Sequence, residues 1–298
     1  MTDLSGKTIG FIGLGFMGRP MCCNLMKAGA RLIVTNRSEP PRLEMQQKGA
    51  VGVGSPAEVA RQANIIIIIV ADTGAVESVL SGPNGVFETI QAGSLIIDMG
   101  TTLLPATRSL AEITEEKKCF YVDAPVSGGT IGAEAGNLTI MAGGSEQGFN
   151  MALPVLKVLG ERITHVGSVG AGQVAKAANQ VIVGLNIGAV AEALALAKAA
   201  GVDPAKVCEA LKGGFADSRI LEVHGQRMVN ESYEPGAKST IQRKDMHQAI
   251  ELAAQLNLEM PATTLSRELY DQLIASGGAN LDHAALFKVI DQKKADAE

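Results

Sequence analysis

The sequence predicts an α/β fold class: an N-terminal doubly wound, Rossmann-type parallel sheet followed by an all-α C-terminal domain, the two joined by a long interdomain helix. Three observations carry this reading. Short β-branched runs alternate with helical stretches from Lys7 to about Val166, and a glycine loop, GLGFMG, lies where the first run passes into the first helical stretch. After about Gly170 the strand signal disappears and helical periodicity continues to the end.

The strands read in order as TIGFIG, RLIVT, IIIIIV, SLIID, FYVDA, LTIMAG and RITHV. The isoleucine run is far shorter than the ~20 residues needed to span a bilayer, and its β-branched content suits a strand buried on both faces. LTIMAG, a late strand, extends or edges the sheet in mixed orientation. Gly29 can end the first helix, Ser55 caps a helix with Pro56 at its first position, and Pro105 opens another. In the second half Asp203-Pro204 repeats the cap-and-proline start and Pro261 marks a break. The helix from about Ala171 to Ala200 would be ~45 Å long at 1.5 Å per residue. Lys176, Asn179, Gln180, Asn186 and Glu192 interrupt its apolar run, which argues for a protein interior rather than lipid. The domains are therefore placed at 1–168 and 169–298.

Composition narrows the partners. The 298 residues are 46% hydrophobic and 19% charged, with a net charge of −5. No Lys/Arg cluster stands out, so neither nucleic acid nor an anionic membrane is favoured and a small molecule is the expected ligand. Cys22, Cys23, Cys119 and Cys208 show no CxxC spacing and suit a reducing compartment. His165, His224, His247 and His283 are scattered in sequence, and no metal site is expected. The start, MTDLSGKTIGFIG, has no basic segment leading into a long apolar core, so the protein is read as cytoplasmic.

Gly13, Leu14, Gly15, Phe16, Met17 and Gly18 form a GxGxxG between a strand and a helix. A dinucleotide pyrophosphate needs that arrangement: a tight turn, close backbone N–H groups and a helix N-terminus aimed at negative charge. The second strand ends in Asn36, Arg37 and Ser38, where an NAD site usually has an acid for the ribose hydroxyls. A guanidinium with two neutral hydrogen-bonding groups suits a 2′-phosphate instead. NADP(H) is thus the preferred cofactor and NAD(H) the alternative; an Arg37 simply solvated at a strand end is the competing reading. Ser127, Gly128 and Gly129 follow FYVDA in a loop whose hydroxyl and N–H groups suit a small carboxylate, with a plain turn as the alternative. Lys176, Asn179 and Gln180 share one helical face, expected to line the space between the domains.

FIGLGFMGRPM (11–21), DAPVSGGTIGAEAGNLTIMAGG (123–144), GAGQVAKAANQ (170–180) and RKDM (243–246) together resemble the β-hydroxyacid dehydrogenase family, over essentially the whole chain. The resemblance implies NAD(P)H-dependent reduction of a small β-carbonyl carboxylate, with Lys176 as the catalytic residue. It gives Ser127, Gly128, Gly129, Asn179 and Gln180 to the substrate, which of the two amides takes which role being open. It gives Val70, Ala71, Thr101 and Lys244 to the cofactor. NQVIVGLNI (179–187) and GGFADSRILEVHGQRM (213–228) look most like the tartronate semialdehyde reductase branch, from which Ala237 and Gln242 depart. Oxidation of 3-hydroxyisobutyrate or other 3-hydroxyacids, reduction of succinic semialdehyde or glyoxylate, and a non-catalytic dinucleotide-binding module are the alternatives. The apolar helices of the second half suit a homodimer or homotetramer.

Overall fold

The structure is a computed structural model that describes residues 2–292. It divides into two compact units, Met1–Lys176 and Ala177–Glu298.

The first unit is built on a nine-stranded sheet. Its strands are β1 (Thr8–Ile12), β2 (Arg31–Thr35), β3 (Val51–Gly52), β4 (Ile65–Ile68), β5 (Leu95–Asp98), β6 (Phe120–Asp123), β7 (Val126–Ser127), β8 (Leu138–Gly144) and β9 (Gly160–Gly167). They lie in the order β3-β2-β1-β4-β5-β6-β8-β7, and β9 pairs with β8. β1 to β6 are parallel, β8 runs antiparallel to β6 and β7, and β9 is parallel to β8. The late strands are therefore mixed in orientation, as LTIMAG suggested.

Strand alternation explains the isoleucine run. Ile67 of β4 joins one core with Phe11, Val34 and Ile97 under α1 (Gly18–Lys27) and the later α6 and α7. Ile66 and Ile68 join the opposite core with Ile33 and Ile96. That face is covered by α3 (Pro56–Gln62), α4 (Thr73–Ser81) and α5 (Leu104–Glu116), which follow α2 (Glu39–Gln47) in the chain. Burying each such side chain is worth about 1.5–3 kcal/mol, so neither face of β4 can be polar. α6 (Gly129–Ala135) and α7 (Glu146–Leu159) complete the first layer. Ser55 Oγ accepts Glu58 N at 3.3 Å, the cap read from the sequence.

α8 (Ala171–Ala199) is one unbroken helix. The sequence boundary at 168/169 falls before it, whereas the compact units divide within it, after Lys176. The reason is local: Gln173, in the first turn, is tied to the sheet's loops by hydrogen bonds to Thr102, Gly100 and Asp123.

In the second unit α8 is followed by α9 (Pro204–Leu211), α10 (Gln226–Val229), α11 (Ser239–Gln255), α12 (Pro261–Ala275) and α13 (Leu286–Gln292). Asp203 caps α9 through Ala205 N at 2.8 Å, and Pro261 opens α12. Ile187, Ala191 and Leu194 of α8 pack with Met246, Tyr270 and Leu286 in its core. By length and composition α8 could cross a membrane. Its core contacts and its buried polar residues Gln173, Lys176 and Gln180 are those of a helix inside a protein. One β-bridge, Lys238 to Asp282, and a π-helical turn at Leu221–Gly225 were not signalled by the periodicity.

Candidate active site

The glycine loop leaves β1 and enters α1. Gly13 has φ +104°, and a Cβ there would collide with the carbonyl of Ile69; a Cβ on Gly18 would collide with the carbonyl of Gly13. Both glycines permit backbone contact that no side chain would allow. Gly15 differs: nothing lies within 4 Å of its Cβ position, and neighbouring Phe16 is 64% exposed. The loop is thus tight at its base and open at its crest, the form that a pyrophosphate requires. A Cβ on Gly13 would lie 3.1 Å from Val70 Cγ1, and one on Gly100 would lie 3.5 Å from Val70 O, so the ends of β1, β4 and β5 converge. Val70 and Thr101 are half-buried there and Ala71 is exposed. The residues present fit a dinucleotide.

At the end of β2, Asn36 Oδ1 accepts Leu14 N at 2.9 Å, while Asn36 Nδ2 donates to Ser38 O and Oγ at 3.0 and 2.9 Å. Asn36 therefore braces the glycine loop against the turn carrying Arg37 and Ser38, both exposed.

Lys176 is only 8% exposed, and its Nζ donates to Val126 O at 2.9 Å. The carbonyl that holds it precedes Ser127-Gly128-Gly129. Gly128 and Gly129 have φ values of +130° and +60°, which only glycine adopts readily. The lysine and the predicted carboxylate loop are thus brought together inside the first unit. Behind them lie two buried carboxylates that sequence reasoning did not single out, Asp98 and Asp123, partners across the β5–β6 register. Asp98 accepts from Thr102 Oγ1 at 2.6 Å, Gly100 N at 3.0 Å and Tyr121 Oη at 3.2 Å. Asp123 accepts Gly170 N at 2.8 Å and Gln173 N at 2.9 Å. Burial pushes its carboxyl up to about 7, against the pull of those N–H groups and with help from the Asp98 charge. One signal could have exposed Gln173: it stands three residues before Lys176, on the same helical face.

In the second unit, Asn179 Nδ2 donates to Gln180 Oε1 at 2.7 Å, and Gln180 Nε2 donates to Asp245 Oδ2 at 2.6 Å. Gln242 Nε2 donates to Gln180 O at 3.0 Å, and Lys244 Nζ pairs with Asp245 Oδ1 at 3.0 Å. Asp245, also unflagged by the sequence, is the anchor of this cluster. Gln180 is buried and Asn179 half-buried.

The histidines are less scattered in space than in sequence. His224 and His283 meet edge to face with ring centroids 4.5 Å apart, and both lie beside the buried Asp282. Ligand atoms of the three residues lie within 4.8 Å of one another. Asp282 is already engaged by Arg227 at 3.2 Å and by the backbone N–H groups of Gly236, Ala237 and Ala284. That guanidinium opposes a cation, and the cluster reads as a structural hub.

A parallel sheet with a dinucleotide loop at the carboxyl ends of its strands, and a buried lysine held beside a glycine-rich turn, defines an NAD(P)-binding oxidoreductase. Comparisons with known proteins agree. Residues 8–167 match the NAD binding domain of 6-phosphogluconate dehydrogenase, and residues 170–290 match a family described as NAD-binding of NADP-dependent 3-hydroxyisobutyrate dehydrogenase. The chain is 46% identical over 283 residues to 2-hydroxy-3-oxopropionate reductase of Escherichia coli strain K12, covering 95% of this chain and 97% of that one. It is 36% identical to a probable mitochondrial 3-hydroxyisobutyrate dehydrogenase of Dictyostelium discoideum, over 98% and 93% of the two chains. The structure of 3-hydroxyisobutyrate dehydrogenase from Mycobacterium tuberculosis, solved with L-serine, superposes with a TM-score of 0.88 at 27% identity, over 95% of this chain and 99% of that one. The chain belongs to the β-hydroxyacid (3-hydroxyisobutyrate) dehydrogenase family and is a dehydrogenase/reductase acting on hydroxyl or carbonyl groups.

Proposed function

We propose that this enzyme reduces a small β-carbonyl carboxylate, tartronate semialdehyde to D-glycerate being the best match, with NADPH as the preferred reductant. The observation that carries the reading is the position of Lys176, an ammonium withdrawn from water and held at Val126 O, next to Ser127-Gly128-Gly129. The 46% identity to 2-hydroxy-3-oxopropionate reductase supports the choice of substrate.

In this reading Gly13 to Gly18 hold the pyrophosphate, Arg37 and Ser38 the 2′-phosphate, and Val70, Ala71, Thr101 and Lys244 further parts of the cofactor. Once bound, the nicotinamide supplies a hydride to the aldehyde carbon. Ser127, Gly128 and Gly129 bind the substrate carboxylate through the hydroxyl and backbone N–H groups. As charge develops on the carbonyl oxygen, Lys176 stabilises it and delivers a proton from Nζ; in alcohol oxidation the neutral amine takes that proton back. Asn179, one helical turn from Lys176, hydrogen-bonds the substrate, while Gln180 is spent on Asp245 and serves as its support. The exposed apolar side chains Ile182, Leu196 and Leu265 support a homodimer or homotetramer.

The test is the initial rate of NADPH and NADH oxidation with tartronate, succinic and methylmalonate semialdehydes and glyoxylate. A kcat/KM preference for tartronate semialdehyde with NADPH is expected. Weak, even rates across the panel would reject the substrate, and near-wild-type turnover by Lys176→Ala would reject the lysine.

A further inference from the structure

Lys176 sits in the second turn of α8, so its ammonium can be no better placed than the start of that helix. The start is fixed from outside. Gly170 N and Gln173 N point at the two oxygens of one carboxylate, that of Asp123 at the end of β6. The packing leaves no slack: a Cβ on Gly143 would lie 2.6 Å from Asp123 Oδ1, and one on Gly172 would lie 2.8 Å from Asp123 Oδ2. Three residues beyond Asp123, the carbonyl of Val126 receives the ammonium. The same short segment therefore holds both ends of the problem, the helix backbone through Asp123 and the side-chain tip through Val126, and it continues directly into Ser127-Gly128-Gly129. Gln173 extends the clamp: its side chain accepts Thr102 N and donates to Gly100 O, both at 3.0 Å. The loop carrying Thr101 is thereby locked to the turn that precedes the lysine.

We propose that Asp123 is the positioning residue for Lys176, fixing the helix start so that the ammonium stands at a set distance from the Ser127-Gly128-Gly129 loop. The inference rests on the reading of Lys176 as proton donor. A carboxylate suits the task because both of its oxygens accept, so two N–H groups of one helix turn are held at once. An amide in its place can accept from only one and turns an N–H toward the other.

The test is Asp123→Asn in the full chain. We expect kcat for carbonyl reduction to fall by ~10-fold or more, the scale of loss that a small displacement of a reacting group brings, with KM for NADPH within about 2-fold of wild type. Lys176 should also be acylated several-fold faster, on the order of 3-fold or more, by an amine-selective reagent read peptide by peptide by mass spectrometry, while Lys27 and Lys244 keep their rates. In a Lys176→Ala background the same substitution should slow the residual turnover no further, because no ammonium is left to place. An unchanged kcat with Lys176 labelled at its wild-type rate overturns the proposal. So does an equal loss of turnover in both backgrounds, or faster labelling of every lysine, since either makes Asp123 a general support of the fold. Wild-type turnover by Lys176→Ala alone sinks the proton-donor reading instead, and the labelling then still decides whether Asp123 holds the ammonium. Should Asp123→Asn not fold, Asp123→Ser, smaller and uncharged, is read against the same outcomes.

Discussion

Asn36 and Leu14 are joined by a 2.9 Å hydrogen bond from the Leu14 amide to the Asn36 side-chain oxygen, across 22 residues of sequence. The bond couples the glycine loop, proposed above to hold the pyrophosphate, to the turn that carries Arg37. An aspartate at position 36 could still accept Leu14 N, but it would lose both donations to Ser38 and set a charge beside any 2′-phosphate. Asn36→Asp is expected to lower kcat/KM with NADPH by ~10-fold or more, the effect of a like charge at partly exposed distances, and to leave NADH little changed. Steady-state rates with both cofactors check this; an unmoved ratio would place the 2′-phosphate elsewhere.

Gly10 lies in the middle of β1 with ordinary backbone angles, yet a Cβ there would run into Val59 Cγ1 of α3. Gly10→Ala should therefore destabilise by overpacking, about 1–3 kcal/mol. Val59→Ala removes the obstructing atom, so the double variant should recover part of that loss. Urea titration of the three variants measures it, and strictly additive losses would contradict the contact.

Two buried carboxylates should bend the pH profile in opposite directions. Asp123 is held up to about 7. Its folded form binds a proton more tightly than the unfolded chain, and stability falls as pH rises from about 4 to about 7, by at most ~1.4 kcal/mol per pH unit. At Asp282 burial pushes the carboxyl up, but the neighbouring His224 at 3.5 Å, the charge on His283 and the N–H groups of Ala284 and Ala237 outweigh it and hold it well below the usual range. Its contribution is present above about pH 4 and is lost as pH falls further. Denaturation of Asp123→Asn should lose the first slope and keep the second.

Asp282 also carries a prediction of its own. Asp282→Ala removes the anionic partner of Arg227 and His224 and leaves three backbone N–H groups without their acceptor. A loss of about 3–5 kcal/mol is expected, as for breaking a buried pair from one side. Metal content and stability in excess zinc would be measured alongside; a variant as stable as wild type would remove the hub reading.

What the sequence discloses depends on how far apart the partners are. Ser55 and Asp203 are legible as caps because the N–H groups they accept are three and two residues away. The isoleucine run is legible because burial on both faces leaves no polar position in it. Asp123 is not: its acceptors' partners lie 47 and 50 residues downstream, and FYVDA gives no sign that its aspartate is spoken for. Asp245 meets Gln180 across 65 residues, and the two histidines meet across 59. No periodicity encodes such pairings. The glycine loop is legible because its pattern is local, and Lys176 stands out through the motif around it; the groups that hold them in place belong to the tertiary fold.

The core of the second unit has a bearing on how the chain is made. Ala284, Ala285, Leu286, Phe287 and Val289 fill it against Ile187 and Tyr270. The last strand of the sheet ends at Gly167, so during synthesis the first unit can assemble before the end of the chain is made. The apolar stripe of α8 must wait for a much later segment before it can be covered. Until then that stripe stays uncovered, and a ribosome that stalls short of position 284 leaves the second unit without the segment that completes its core.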